Sequence, residues 1–276
     1  MSIFEATILG IIQGLSEFLP ISSTAHLTIA GKFFGLINPD YPERWTAFIA
    51  VTQFGTLFSV LYYFSKDIFS ISKNFFTDGF SFLKNPKSGL KEARLGWYLI
   101  LGTLPIATVG LYFKKIIEGN LTKDFFVIGC ALIILAIVLF LAEKISTHTR
   151  KIENANWIDA LLIGIGQMFA LIPGASRSGT TLTAGLFLGF ARSDAARFSF
   201  LLSLPAVLAS GMLELYQMKN FISEIGIANI FASIASSAIV GYFAIDFLIK
   251  YLKTHTTYIF IIYRIALGAI LIFLFK

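Results

Sequence analysis

The chain has 276 residues, of which 56% are hydrophobic and 14% are charged, whereas soluble domains carry charge on about a quarter of their residues. This composition, with a mean hydropathy of +0.78, excludes a soluble globular protein and a disordered chain, and the single Cys130 excludes a disulfide scaffold. The net charge of +6 does not indicate nucleic acid, because the Lys and Arg residues lie mostly between apolar segments, as they do in membrane proteins.

Apolar segments follow one another along the chain. A helix needs about 20 residues to cross the hydrocarbon core of a bilayer. Six segments approach that length, namely residues 45–65, 95–113, 125–142, 198–213, 225–245 and 258–275. We therefore predict an all-α integral membrane protein with six crossings. The first basic residue is Lys32, so we expect no signal peptide and insertion through the crossings themselves.

Two further apolar regions, residues 3–37 and 157–191, are interrupted by polar residues and by a proline. The first contains Pro20, and the second contains Pro173 and Arg177. Backbone that leaves helical geometry at membrane depth persists only where protein or a water-filled cavity satisfies it. The pattern predicts two pairs of re-entrant half-helices that line a cavity.

The two halves of the chain, about 1–145 and 156–276, resemble each other in the order of their segments. Each half has a broken pair followed by three crossings, and residues 11–23 can be laid against residues 165–176. Because three is an odd number, the second half is expected to insert upside down relative to the first. This predicts an inverted-topology repeat inside one membrane domain of residues 1–276, with the broken segments meeting near the midplane.

Basic residues are more numerous on one side of the predicted membrane domain. Counting crossings places the connections 66–94, 143–157 and 250–257 on the same side. They contain Lys66, Lys73, Lys84, Lys87, Lys91, Arg94, Lys144, Arg150, Lys151, Lys250 and Lys253. The opposite side contains Lys32, Arg44, Lys114, Lys115, Lys123, Lys219 and Lys276. Basic connections stay in the cytoplasm, so both termini are expected outside.

The first polar motif lies in residues 13–26. Polar and ionisable groups at membrane depth are unfavourable, so those that occur there are usually functional. Gln13 and Glu17 are four residues apart and share one face of a helix. Glu17 is the motif's one carboxylate, and at membrane depth it is expected to be functional.

The same motif contains a hydroxyl and an imidazole at helical spacing. A helix that begins near Ser22 would bring Ser23 and His26 together. A hydroxyl becomes a nucleophile when an adjacent base takes its proton, so the spacing permits Ser23 as nucleophile and His26 as its base. The alternative is that Ser22, Ser23 and Thr24 only cap a short helix and that His26 bonds a carbonyl.

The second polar motif, residues 173–181, surrounds Arg177 with glycines and hydroxyls at the start of a helix. N–H groups at a helix N-terminus, together with a guanidinium, form an anion site that suits phosphate. A Walker A loop is excluded, because no Gly-Lys-Ser/Thr follows the glycines. The alternative is an arginine that snorkels to the membrane surface. A nucleophile motif and an anion motif in one chain indicate phosphoryl chemistry on a lipid.

The two motifs resemble those of the undecaprenyl-diphosphate phosphatases, the bacterial bacitracin-resistance enzymes that dephosphorylate a C55 isoprenyl diphosphate. The family's first motif is Glu or Gln, then any three residues and Glu, followed by a Pro-x-Ser-Ser-Thr-x-His stretch. Residues 13–26 fit this motif. Residues 174–181 fit Gly-x-Ser-Arg-Ser-Gly-x-Thr, and residues 196–205 are similar to a third family stretch. The resemblance covers essentially the whole chain.

The resemblance implies a hydrolase of the bacterial cytoplasmic membrane that recycles the lipid carrier for cell-wall synthesis. Its site opens to the outer face and requires a divalent cation, Mg²⁺ or Ca²⁺. Ser23 is implied as nucleophile, assisted by His26 and Glu17, while Arg177 holds the diphosphate. The groups expected to bind phosphate are Gln13, Ser22, Thr24, Gly174, Ser176, Ser178, Gly179 and Thr181.

The expected partners are the polyprenyl diphosphate substrate and membrane lipids, and the sequence leaves a homodimer open. Some family members have two carboxylates in the first motif, but this chain has Gln13 at one of those positions. A two-carboxylate metal site is therefore not expected, and Glu17 is the one residue of the motif that the resemblance leaves as a metal ligand. We expect the cation to be held largely by the substrate's diphosphate.

Two other functions are compatible with parts of this pattern. A lipid-phosphate transporter or flippase would also use inverted repeats with broken helices, but it would not need the cluster of Ser23, His26 and Glu17. A phosphatase with two catalytic histidines is disfavoured, because His148 and His255 fall in predicted cytoplasmic connections. Arg264 interrupts the last crossing, and we expect it to be structural, with Asp246 as one partner that it could reach across helices.

Overall fold

The computed structural model describes residues 1–84, 91–218 and 222–275. In these ranges the regular structure is helical, apart from one β-bridge between Arg150 and Phe190. The predicted all-α class is confirmed. The helices are α1 (Ile3–Phe18), α2 (Ser23–Phe33), α3 (Pro42–Tyr63), α4 (Ser65–Lys84), α5 (Lys91–Tyr112), α6 (Lys114–Glu118), α7 (Phe125–Ile145), α8 (Trp157–Met168), α9 (Arg177–Phe187), α10 (Arg192–Met218), α11 (Ile222–Ile225), α12 (Ile227–Leu252) and α13 (Tyr258–Leu274).

Within the described ranges, five helices are long and apolar enough to cross a bilayer, namely α3, α5, α7, α10 and α12. They correspond to five of the six predicted crossings, and α10 extends beyond the predicted run 198–213 at both ends. Helix α13 corresponds to the sixth. It is apolar but has 17 residues, which is about 25 Å of helix and close to the lower limit for a span. The chain is a multi-pass membrane protein.

Helix α4 is a helix that the charge pattern did not predict, because residues 66–94 were assigned to a connection. Its charged residues interrupt every long apolar run. Ile71 and Phe75, four residues apart, nevertheless face α5, where Phe75 packs against Gly96 and Trp97. The helix is amphipathic, so its apolar face packs on a neighbour without spanning a membrane.

Contacts between the connections divide the molecule into two ends. At one end, Asn229 Nδ2 donates to the Met1 carbonyl at 2.7 Å and Asn120 Nδ2 donates to the Pro39 carbonyl at 3.1 Å. The opposite end holds the start of α4. Its ion pairs include Arg197–Asp67, Arg150–Asp159 and Arg192–Glu143. We call these the Met1 end and the α4 end.

Helices α1 and α2 form a pair that is separated by a tight turn, and so do α8 and α9. Each turn ends in a serine with left-handed backbone geometry, since φ is 77° at Ser22 and 70° at Ser176. Each serine caps the next helix, its Oγ accepting the N–H of Ala25 or Gly179. Non-glycine residues rarely adopt this conformation, and it is found most often where surrounding structure enforces it at functional sites. This backbone geometry indicates a functional site at the two turns.

Candidate active site

Glu17, at the end of α1, is the centre of a polar cluster between the two turns. Its side chain is buried, with 5% of the residue exposed. Gln13 Nε2 and Ser23 Oγ each donate to Glu17 Oε2 at 2.8 Å. Arg177, the first residue of α9, forms an ion pair with the other oxygen, Oε1. The fold therefore brings a hydroxyl, a carboxylate and a guanidinium from the two motifs into direct contact.

The hydroxyls of Ser176 and Ser178 join the second turn to the end of α1. Ser178 Oγ donates to the Leu19 carbonyl at 3.1 Å. In the contact of 3.2 Å between the two hydroxyls, Ser176 Oγ is therefore the donor. Ser176 Oγ also accepts the N–H of Gly179 at 3.1 Å. These bonds fix the start of α9 beside Glu17, so Arg177 does not snorkel to the membrane surface.

His26 does not have Ser23 as a hydrogen-bond partner. Its Nδ1 lies 2.7 Å from the Ser22 carbonyl oxygen and its Nε2 lies 2.6 Å from the Tyr263 hydroxyl, with the two rings stacked. A carbonyl can only accept, so Nδ1 carries the hydrogen, and in a neutral ring Nε2 accepts from Tyr263. Both nitrogens are occupied. The structure supports the alternative that His26 bonds a carbonyl, and the group that accepts from Ser23 is Glu17.

A cavity of about 370 Å³ lies beside this cluster. Five of the predicted site residues line it: Glu17, Ser23, Thr24, Ser176 and Arg177. Its walls are mainly apolar, with Ile49, Ile106, Leu171, Ala206 and Leu213 among them. The cavity extends to Lys114, Glu118, Lys123 and Glu214 at the Met1 end. It joins a polar floor to an apolar wall, as a site for an amphiphilic anion would.

The other predicted residues lie behind the cavity lining, namely Gln13, Ser22, His26, Gly174, Ser178, Gly179 and Thr181. Thr181 is an example, since it is fully buried and donates to the Arg177 carbonyl at 2.7 Å. Its hydroxyl also lies 2.5 Å from that of Ser199 on α10. Thr181 therefore attaches α9 to α10 and does not face the cavity.

Helices α2 and α9 both begin at the cavity. The first N–H groups of a helix have no partner within the helix and carry a partial positive charge. Ser23 and Thr24 start α2, and Arg177 starts α9; all three line the cavity. Two helix N-termini and a guanidinium thus converge on one space, which is an arrangement that binds phosphate.

The oxygen atoms around Glu17 determine what cation could bind there. Within the described ranges, no group of three or more His, Cys, Asp or Glu residues could hold a metal. Gln13 Oε1, behind the cavity lining, is buried and has no hydrogen-bond partner in the part of the chain that the structure describes. The Glu17 carboxylate and the Ser23 hydroxyl, which line the cavity, are hard oxygen ligands of the kind that Mg²⁺ and Ca²⁺ prefer. This donor set fits a cation that takes most of its ligands from phosphate and water.

Lys123 is a buried cation at the Met1 end of the cavity. Its Nζ donates to Thr46 Oγ1 at 2.7 Å and to the carbonyls of Glu118 and Gly119 at 2.7 and 2.9 Å. Burial lowers the pKa of Lys123 to about 8, against the opposing effect of nearby carboxylates. The ammonium is held by the connection itself, so we interpret it as structural.

Two site residues that the motifs did not reveal come from α13. Tyr263 contacts His26, and Arg264 Nη2 donates to the Ala175 carbonyl at 2.8 Å. The pairing of Arg264 with Asp246 is wrong as a prediction, because Asp246 instead accepts a hydrogen bond from Lys250 Nζ at 2.7 Å. In the sequence, Arg264 can be recognised only as a charged residue inside an apolar segment, and this position does not reveal its partner.

The position of His26 leads to a prediction about pH. His26→Gln is expected to lower kcat/KM by about tenfold, because the variant loses hydrogen bonds that position the turn and that contribute roughly 1.4 kcal/mol. The acidic limb of the pH profile should keep its position. The reason is that neither ring nitrogen of His26 contacts Ser23, whose hydroxyl donates to Glu17. The measurement is kcat/KM against pH for wild type, His26→Gln and Tyr263→Phe. Disappearance of the acidic limb in His26→Gln would make His26 the essential base.

The sequence matches known proteins over nearly its full length. The model of the family described as bacitracin resistance protein BacA matches residues 6–270. A protein of Syntrophobacter fumaroxidans named undecaprenyl-diphosphatase is 48% identical over 274 residues, covering 99% of this chain and 98% of that protein.

Two further relatives carry the same name. The protein of Myxococcus xanthus is 45% identical over 276 residues, a match that covers 100% of this chain and 90% of that protein. The protein of Chlorobium luteolum is 50% identical over 283 residues, a match that covers 99% of this chain and 97% of that protein. This chain belongs to the bacitracin resistance protein BacA family.

Proposed function

We propose that this chain hydrolyses undecaprenyl diphosphate to undecaprenyl phosphate and inorganic phosphate, which is the activity for which its relatives are named. This reaction recycles the lipid carrier for cell-wall synthesis and gives resistance to bacitracin. The observation that carries the proposal is the contact of Ser23 and Arg177 with opposite oxygens of Glu17. Glu17 is the base, Ser23 the hydroxyl and Arg177 the anion clamp that phosphoryl transfer requires.

Substrate binding begins with the diphosphate at the polar floor of the cavity. Arg177 leaves Glu17 and binds phosphate oxygens with its planar fork, while the N-termini of α2 and α9 donate their free N–H groups. The cavity, at about 370 Å³, accommodates the head and the first isoprene units against its apolar wall. The rest of the C55 tail lies in lipid.

The proposal assigns the proton transfer to Glu17. Once Arg177 binds phosphate, Glu17 Oε2, which already accepts the hydrogen bond of Ser23, takes the proton from Ser23 Oγ, or from a water in the same place. The oxygen attacks the terminal phosphorus, the bond to the bridging oxygen breaks, and undecaprenyl phosphate leaves. If Ser23 attacks, water then hydrolyses the phosphoserine. Phosphoryl transfer depends mainly on such positioning and charge neutralisation.

A divalent cation fits the same floor. Glu17, which lines the cavity, would hold it, and it would neutralise charge on the diphosphate, as Mg²⁺ does in other phosphoryl-transfer sites. Glu17 would then be the one carboxylate ligand from the protein.

We propose that the two halves, about 1–145 and 156–276, form an inverted repeat in which the pairs α1–α2 and α8–α9 are re-entrant. Two local likenesses support this. Gln13 precedes Ser22 by the same spacing as Gln167 precedes Ser176, and both serines have left-handed geometry. Near the middle of α1, Gly10 allows close contact with α12, as Gly164 of α8 does with α5. A single domain with two corresponding turns follows.

The proposed orientation puts the Met1 end, and with it the mouth of the cavity, at the outer face. The supporting observation is that the cavity reaches Lys114–Glu118, whereas the more basic connections belong to the α4 end. Both termini then lie outside, because α13 runs back to the Met1 end, where Phe275 contacts Phe125. Lys87, Lys219 and Lys276, which entered the charge comparison, lie outside the described residues. The homodimer stays a prediction.

A transporter with this architecture is the second function that the sequence left open, and no observation favours it. A binding site for lipid diphosphate does not need a hydroxyl held by a carboxylate. The experiment is phosphate release from C55 diphosphate by the purified protein in detergent, with and without a chelator. We expect release that the chelator suppresses and Mg²⁺ or Ca²⁺ restores. Movement of the lipid between vesicle leaflets without phosphate release would contradict the proposal.

A further inference from the structure

Helix α13 contacts both turns of the site through two consecutive residues. The Tyr263 hydroxyl lies 2.6 Å from His26 Nε2, behind the first turn, and Arg264 Nη2 donates to the Ala175 carbonyl of the second turn at 2.8 Å. Neither residue lines the cavity. One turn of α13 therefore supports the starts of both α2 and α9.

Arg264 is among the largest fully buried side chains of the protein, with 0% exposed. Its Nε and Nη1 are buried and have no hydrogen-bond partner among the described residues. The one partner that the structure gives it is a backbone carbonyl, and no described carboxylate pairs with it. A buried charge without a counterion is strongly unfavourable, so its retention calls for a compensating role.

The unpartnered end of Arg264 faces the start of α9. A Cβ built on Gly179, in the first turn of that helix, would lie 2.7 Å from Arg264 Nη1. The guanidinium thus occupies the space that a side chain at position 179 would take. Its charge adds to that of the helix N-terminus and of Arg177, from a position outside the cavity lining.

We propose that Arg264 is a positioning residue of the phosphate site, acting through the Ala175–Gly179 segment and through its uncompensated charge. The bond to the Ala175 carbonyl holds the turn in the left-handed geometry at Ser176, which aims Arg177 at the cavity. The charge behind the turn strengthens anion binding, because it is desolvated and has no anion of its own until phosphate enters. This inference rests on the proposed function for the identity of the anion.

The test measures binding of inorganic diphosphate by calorimetry, with no turnover needed. Arg264→Gln, which removes the charge, is expected to weaken binding about tenfold and to leave it less dependent on salt. Arg264→Lys, which keeps a charge but not the fork, should fall between Arg264→Gln and wild type. The matched control is Arg192→Lys, whose ion pair with Glu143 lies at the α4 end. It should lower thermal stability and leave diphosphate affinity unchanged.

A second variant keeps the test decisive if Arg264→Gln does not fold. Gly179→Ala retains Arg264 but displaces its guanidinium, so it should weaken diphosphate binding, and its effect should not add to that of Arg264→Lys in the double variant. Unchanged affinity in folded Arg264→Lys and Gly179→Ala protein, with only stability reduced, would overturn the inference. Because binding and turnover are measured apart, wild type that binds diphosphate without releasing phosphate from the lipid would contradict the proposed function alone.

Discussion

Glu17→Gln is expected to lower kcat for phosphate release by about 100-fold or more, the usual effect of losing a general base. The amide oxygen of the variant could still accept a hydrogen bond from Ser23, but it could not take the proton. Substrate affinity should be retained or increased, because Arg177 would no longer have a carboxylate to leave before it binds phosphate. Steady-state kinetics with C55 diphosphate and direct binding of the lipid measure the two effects separately.

The matched control for this variant is Glu143→Gln. Glu143 is as buried as Glu17, with 4% exposed, and it pairs with Arg192 at the α4 end. We expect it to lower thermal stability and to leave kcat of the folded protein unchanged. A Glu17→Gln variant with near wild-type kcat would remove Glu17 from the proton transfer.

Arg177→Lys is expected to lower kcat/KM roughly 100-fold, similar to the loss of one preorganised donor in a transition-state site. Lysine keeps the charge and can still pair with Glu17. It has no planar fork, however, and so cannot bind two phosphate oxygens and stay oriented as the bond to phosphorus breaks. The measurement is phosphate release over a range of lipid concentrations.

Arg150→Lys provides the comparison. Arg150 binds Asp159 through two nitrogens, at 3.0 and 2.6 Å, and lies at the α4 end away from the cavity. The same loss of a fork should there reduce stability without changing kcat/KM. If Arg177→Lys retained most of its activity, the anion clamp would have to be assigned to other groups.

Much of the fold could be predicted because lipid strongly disfavours charge and unpaired backbone. Charge-free runs marked the long helices, and Pro20 and Pro173 marked the breaks between the short pairs. Helix α4 escaped this criterion. Its charged face interrupts the apolar run, and only the spacing of Ile71 and Phe75 reveals the side that packs on α5.

The candidate site was predictable where its members are close in sequence. Gln13 and Glu17 share a helix face, and Arg177 belongs to a recognisable anion loop. The partner of His26 was not predictable, because Tyr263 is distant in sequence and reaches it only through the packing of α13. Helical spacing allowed Ser23 to meet His26, but spacing alone cannot show that α1 offers the serine a carboxylate instead.

We propose that this site breaks a phosphoanhydride bond and does not merely bind the lipid. The most direct test is Ser23→Ala, with phosphate release and C55 diphosphate binding measured on the same purified preparation. We predict that release falls to background while affinity stays within about threefold of wild type, since one neutral hydrogen bond contributes only about 0.5–1.5 kcal/mol. Loss of binding in proportion to activity, or release at the wild-type rate, would contradict the account.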